Sequence, residues 1–230
     1  MNKLLAMYKC DYKNITKDPM LIYSIVILPI IMVIFRLFRD QIPNEQLYAV
    51  AVLFTMALGP IIFGMLPSFI FLDEKDSKVL DAISVLPISR SAFILYRMVN
   101  GFILVFVYSL AAPFIMDFSG IPMNTLILCA LLLAFETPII AFIIMTYADN
   151  KVEGVVAVKI INAIFLTPFL AYVISPEWSD ILLPVPSYWP IKAFMESYLG
   201  NEFMVYILVG VVYYAGIISV LGWLFQRKIP

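Results

Sequence analysis

Six long apolar runs constrain this chain more than anything else in it. They lie at about 20–37, 47–72, 93–116, 121–147, 155–174 and 203–225, and each approaches or exceeds the roughly 20 residues that a helix needs to cross a bilayer. The runs are continuous. A membrane β-barrel would instead alternate apolar and polar residues over short segments. With 63% hydrophobic and 13% charged residues among 230, and a mean hydropathy of +0.98, the chain carries more apolar surface than a water-soluble domain of this size can bury. The expectation is an all-α integral membrane protein with six transmembrane helices, forming a single transmembrane domain over 1–230. The net charge of −1 gives no basis for nucleic-acid binding.

The polar breaks between the runs carry the remaining information. The strongest is DEKDSKVLDAISVLPISR at 73–90. On a 3.6-residue period Val79, Leu80, Ile83 and Leu86 share one face, with Glu74, Lys75, Asp76, Lys78 and Asp81 on the others. Asp73 is placed to cap the start, and Pro87 forces a stop, so a short amphipathic helix is expected over 73–86. Two readings fit it: a solvated loop resting on headgroups, or a helix that docks on a partner.

Residues 1–19 repeat the theme. Leu4 or Leu5, Tyr8, Tyr12 and Ile15 fall at helical spacing, with Lys9, Lys13 and Lys17 elsewhere, as in a basic helix lying in the headgroup plane. The apolar stretch starts too late for a signal peptide, and no small-residue cleavage site follows. The second run, overlong and containing Gly59, Pro60, Gly64 and Pro67, is expected to be tilted or kinked, with neighbouring helices satisfying the freed carbonyls. With the N-terminus inside, ten Lys and Arg (Lys3, Lys9, Lys13, Lys17, Lys75, Lys78, Arg90, Lys151, Arg227, Lys228) lie on one side and only Arg36, Arg39 and Lys192 on the other. The positive-inside rule then places both termini and the 73–86 helix in the cytoplasm.

Glu74-Lys75-Asp76, Val79-Leu80-Asp81 and Leu86-Pro87-Ile88-Ser89 together resemble the acid-x-acid, x-Leu-acid, Leu-Pro-x-Ser signature of type-2 ABC exporter permeases. Lys78-Val79 stands where the commonest pattern has Gly-Thr, and the Lys-Val-Leu-Asp version is similar to permeases labelled as fluoroquinolone or multidrug exporters. The six-span layout and the N-terminal helix extend the resemblance over the whole chain. It implies that 73–86 is a coupling helix, with Glu74, Lys75, Asp76, Val79, Leu80, Ile83 and Leu86 meeting a separate ATP-binding cassette ATPase. It also implies a second permease, identical or a sister, with the pathway between the two in the plasma membrane. Drug or antibiotic efflux is the expected task, though peptide and lipid substrates fit the class equally. The segment 175–202, with Trp178, Tyr188, Trp189 and Tyr198, reads either as an aromatic interface belt or, by the resemblance, as an outer lid carried by Tyr188 and Trp189. Two short interfacial or re-entrant helices broken at Pro184, Pro186 and Pro190 are expected there.

Three ionisable residues fall within the runs. Arg97 and Lys159 lie about four residues from the cytoplasmic boundary, near enough to snorkel. Glu136 is eleven residues from Tyr147, about 16 Å deep at helical rise, where an ionised carboxylate costs at least a few kcal/mol. It reads either as a pathway acid, with Asn100 and Asn162 as further polar candidates, or as a structural acid, protonated or paired with Asn100, Asn162 or Lys159, beside Pro138. There is no G-x-x-x-x-G-K-[ST] loop, so ATP and magnesium would sit on the partner, and no cofactor is expected in this chain. Histidine is absent, which removes imidazole catalysis and the commonest zinc ligand. Cys10 and Cys129 fall in different environments and read as unpaired. An ion-coupled secondary transporter, a membrane enzyme and a sensor or immunity protein without net transport are the alternatives.

Overall fold

The computed structural model describes residues 3–77, 90–174 and 180–228. Among these, the regular elements are all helical. They are α1 (Lys3–Lys17), α2 (Pro19–Leu37), a 3-10 turn (Arg39–Gln41), α3 (Glu45–Asp76), α4 (Arg90–Ile115), α5 (Met123–Tyr147), α6 (Lys151–Phe165), α7 (Thr167–Ile174), α8 (Tyr188–Tyr198) and α9 (Met204–Lys228). Six stretches are long and apolar enough to cross a membrane: Pro19–Leu37, Glu45–Asp76, Ile94–Ile115, Met123–Tyr147, Lys151–Leu170 and Met204–Lys228. The all-helical class with six spans is therefore what the chain adopts.

Helices α3 and α5 form the inner pair. In their most apolar windows 72% and 61% of residues are buried, against 17% in α2 and in α9. All four are apolar around most of their circumference, so hydropathy alone ranks none of them as central. At 32 residues, α3 is about 48 Å long at 1.5 Å per residue, longer than the roughly 30 Å of hydrocarbon it would cross. Its last turns project at the end of the bundle where α1 lies.

That projection corrects one expectation. Asp73 does not cap a new helix. It lies within α3, which continues to Asp76, and its carbonyl accepts from Ser77 N at 2.9 Å and Ser77 Oγ at 2.6 Å. The helix continues because Asp73, Glu74 and Lys75 each find a partner on a neighbouring element, described below. The rest of the expected coupling helix, with Val79, Leu80, Ile83 and Leu86, lies outside the described residues.

At Pro60 and Pro168 a hydroxyl meets the carbonyl that the proline leaves without a donor, as a dry interior favours. Pro60 cannot donate to the carbonyl of Met56, and Ser109 Oγ of α4 donates to that oxygen at 3.3 Å instead. Tyr108 donates to the adjacent Thr55 carbonyl at 2.9 Å. Pro67 frees the carbonyl of Phe63, where α4 comes so close that a Cβ built on Gly101 would lie 3.3 Å from that oxygen and 2.8 Å from Thr137 Cγ2. The fifth span, expected as one continuous helix, is interrupted at Leu166 between α6 and α7. Pro168 has no N–H for the Ile164 carbonyl, and Thr167 Oγ1 donates to it at 2.6 Å.

Candidate functional site

At the α1 end of the bundle, three helices are joined by one buried ion cluster. Arg97 on α4 is 5% exposed. Its Nε and Nη2 donate to Asp11 Oδ2 and Oδ1 of α1 at 3.2 and 2.7 Å. Its Nη1 and Nη2 also donate to Glu74 Oε2 and Oε1 of α3 at 2.7 and 2.6 Å. A planar guanidinium is the side chain that can hold two carboxylates in this bidentate way. Arg97 thus does not snorkel outward; it locks α1 to the end of α3 and the start of α4. Glu74 is accordingly turned into the protein, whereas the resemblance assigns it to an ATPase contact.

A more exposed set of pairs surrounds the cluster. Lys75 donates to Asp149 at 2.7 Å, which holds the Asp149 carboxyl below the usual range. Lys151, at the start of α6, reaches both Asp73 (2.6 Å) and Asp18 (2.7 Å). Asp18 also caps α2, accepting from Met20 N at 2.9 Å. Asp76 is exposed at the end of α3. Beside the cluster a cavity of about 240 Å³ opens between α1, α3 and α4, lined by Asp11, Arg97 and Asn100 on its polar side and by Phe63, Leu66 and Ile70 on its apolar side. Asn100 therefore faces this cavity and not Glu136. On α1, Asp11 and Ile15 turn toward the bundle while Tyr12 is exposed, a face rotated from the one that apolar spacing predicts.

Glu136 on α5 is 1% exposed, and its partner is Tyr214 of α9, whose hydroxyl lies 2.9 Å from Oε1. Neither Asn100, Asn162 nor Lys159 pairs with it. Lys159 is exposed on α6, and Asn162 Oδ1 is buried with no hydrogen-bond partner among the described residues. The same Tyr214 hydroxyl is 2.8 Å from the carbonyl oxygen of Pro186, and the neighbouring Tyr213 donates to the carbonyl of Pro184. Two consecutive tyrosines of α9 thus hold the turn that leads into α8. Ser187 adds a bond to the Phe165 carbonyl at 2.6 Å.

Helix α8 is a packed element, not an aromatic fringe. Tyr188 and Trp189 are buried. Trp189 meets Tyr188 edge-on at 5.4 Å and Tyr213 at 5.8 Å. Phe118 stacks between Phe194 and Tyr198 at 6.0 and 6.2 Å. Tyr188 donates to Asp180 at 2.6 Å, and burial together with that carboxylate pushes its phenol up. In the described part of 175–202 a 3-10 turn at 180–182 precedes α8, with Pro184 and Pro186 between the two, while 175–179 lie outside the described residues. Pro190 falls in the first turn of α8, where a missing N–H has no intrahelical carbonyl to serve. At this end Lys192 pairs with Asp180 and Glu196, and Arg36 and Arg39 donate to the carbonyls of Ile115 and Asp117 at 2.9 and 2.5 Å. The side chain of Cys129 is buried and unpaired.

Asp11 and Tyr214 are the residues that sequence reasoning missed. Asp11 had a visible signal, since it stands on the same helical stripe as Tyr8 and Ile15, where an acid has no reason to be unless something pairs with it. Tyr214 had none: it is one of several tyrosines in an apolar run.

A family model described as "Fluoroquinolones export permease protein Rv2686c-like" matches residues 11–222. Among curated proteins, the fluoroquinolones export permease proteins of two Mycobacterium tuberculosis strains, CDC 1551 / Oshkosh and ATCC 25618 / H37Rv, are each 26% identical to this chain over 242 residues, covering 98% of it and 94% of the relative. The match takes in five of the six spans whole and most of the last, together with Asp11, Glu74, Arg97, Glu136 and Tyr214. With its six apolar helices, this multi-pass membrane protein belongs to the Rv2686c-like fluoroquinolones export permease family.

Proposed function

We propose that this chain is the permease subunit of an ATP-driven exporter, forming a transmembrane pathway with a second permease and taking its energy from a separate ATPase. The observation that carries this reading is the family match across residues 11–222. Two features support it. The chain has no phosphate-binding loop of its own, so export driven by ATP requires a second polypeptide. The Asp11–Arg97–Glu74 cluster makes a rigid mount from α1, α3 and α4, and the 78–89 segment connects two of those three helices. A docking helix transmits force only when its attachment points do not yield.

In this reading the α1 end faces the cytoplasm, with both termini there, and ATP and magnesium are bound by the partner. Residues 78–89 meet the ATPase through Val79, Leu80, Ile83 and Leu86, with Lys75 and Asp76 at the margin. The substrate class is an amphipathic antibiotic, the name of the mycobacterial relatives pointing to fluoroquinolones.

The test is co-expression with a candidate ATP-binding cassette ATPase from the same genome, followed by purification in mild detergent and measurement of drug accumulation in cells. Ile83→Asp or Leu86→Asp would place a charge in an apolar contact, which is unfavourable without a partner. The expected result is a properly inserted permease that no longer retains the ATPase or lowers drug accumulation. Unchanged copurification and efflux in both variants would refute the docking role.

A further inference from the structure

The Glu136–Tyr214–Pro186 contacts contain a constraint on where protons sit. A tyrosine hydroxyl has one hydrogen to donate. Tyr214 Oη is within hydrogen-bonding distance of two oxygens, Glu136 Oε1 at 2.9 Å and the Pro186 carbonyl at 2.8 Å. The carbonyl can only accept, so a bond there uses the tyrosine's hydrogen. The contact with Glu136 is then favourable only if the carboxyl supplies a hydrogen of its own. The opposite arrangement, an ionised Glu136 accepting from Tyr214, leaves Pro186 without this donor and places a charge in a site with no salt-bridge partner among the described residues.

The surroundings favour the neutral form. Glu136 is buried on α5, which packs against α3, α4, α6, α8 and α9. On α3, Glu74 is held by Arg97 and Asp73 by Lys151. On α4, Arg97 is committed to its two acids and Tyr108 to the Thr55 carbonyl. On α6, Lys159 is exposed. On α8, Tyr188 and Lys192 are engaged with Asp180. On α9, Tyr213 bonds the Pro184 carbonyl, and Cys129 of α5 itself is buried beside the pair. Among the described residues no Lys or Arg of these elements pairs with Glu136, whose bonding partner is Tyr214. Glu136 Oε2 accepts no hydrogen bond from the described residues, which a neutral carbonyl oxygen tolerates far better than a carboxylate oxygen does.

We propose that Glu136 is held as a neutral carboxylic acid that donates to Tyr214, which in turn donates to Pro186, so that one intramembrane proton latches the 180–187 turn, and α8 with it, onto α5 and α9. Removing that proton turns the Tyr214 hydrogen toward the carboxylate and deprives Pro186 of its donor. The turn is then held by the Tyr213–Pro184 and Ser187–Phe165 bonds alone among those described above, and opens more readily. This goes beyond the export reading and does not depend on which ATPase or substrate is involved.

Two measurements test it on the full chain in lipid. Infrared spectra in H2O and D2O at neutral pH should show a carboxylic-acid C=O band that is absent in Glu136→Gln and moved to higher frequency in Tyr214→Phe, where the acid has lost its acceptor. Amide hydrogen exchange over 180–187 should be faster in Tyr214→Phe than in wild type at neutral pH. Raising the pH should speed exchange there in wild type more than in Glu136→Gln compared at the same pH, because the Gln amide remains a neutral donor. A spectrum with no protonated-acid band assignable to Glu136 would overturn the proposal. So would an unchanged band in Tyr214→Phe, or a wild-type-to-Gln exchange ratio that does not change with pH. Should Glu136→Gln fail to insert, the Tyr214→Phe band shift and exchange rate decide the matter alone.

Discussion

Replacing Arg97 by Met keeps an unbranched apolar stem of similar reach but deletes the only cation in the Asp11–Arg97–Glu74 cluster. Four N–H···O contacts of 2.6 to 3.2 Å are lost at once, and two carboxylates that are nearly inaccessible to water are left facing each other. Removing one member of a buried ion cluster typically costs about 3–5 kcal/mol, because the remaining charge stays desolvated without compensation. For a chain of this size, at about 2–4 °C per kcal/mol, that corresponds to a fall in Tm of roughly 6–20 °C. The companion variant is the triple change Asp11→Asn, Glu74→Gln, Arg97→Met, which removes the unpaired charges along with the pair. It should regain most of the loss, since neutral replacement of a buried ion cluster is often tolerated. Thermal unfolding in detergent, followed by the retention of monodisperse protein on a sizing column, reads both. An Arg97→Met protein within about 1 kcal/mol of wild type would refute the reasoning, as would a triple variant no better than the single one.

Gly59→Ala should destabilise by about 1–3 kcal/mol, because its Cβ would lie 2.6 Å from Tyr108 Cδ1; adding Tyr108→Val should recover stability if that clash is the cause, and thermal unfolding of the two variants checks it. Burial raises the Asp18 carboxyl pKa, but the hydrogen bond and charge of Lys151 and the N–H groups of Met20 and Leu21 outweigh it and hold the group below its usual range. Its contribution should therefore be fully present above the unfolded value of about 3.9 and be lost as pH falls through the lower folded value. Asp18→Asn, which keeps a capping side chain, should differ from wild type at pH 6 by about 0.5–2 kcal/mol and by less near pH 3, as unfolding at the two pH values will show. A cysteine at Lys75 should react with membrane-impermeant reagents only from the cytoplasm and one at Asp180 only from outside; labelling of both from one side would overturn the six-span topology.

The sequence determined by itself that this chain is a six-span helical membrane protein, and it pointed to the permease family. Those properties rest on run length and on a local polar motif, and hydrocarbon thickness and backbone hydrogen bonding act on each segment independently. It also located the prolines that would need help from neighbours and the single deep acid, Glu136, that had to face protein or water and not lipid. What it could not supply were the partners. Arg97 reads as a snorkelling residue from its distance to the membrane boundary, and becomes the centre of a buried cluster only because α1 folds back to bring Asp11 against it. Asp73 reads as a helix start, yet lies inside α3 because Lys151, far along the chain, neutralises it at 2.6 Å. Tyr214 looks like any tyrosine in an apolar run until α9 sets it between Glu136 and Pro186. Only the tertiary structure decides such pairings, because every span is apolar nearly all round: hydropathy gives no helix a preferred face, and the packing of α3 and α5 at the centre settles which polar atoms meet.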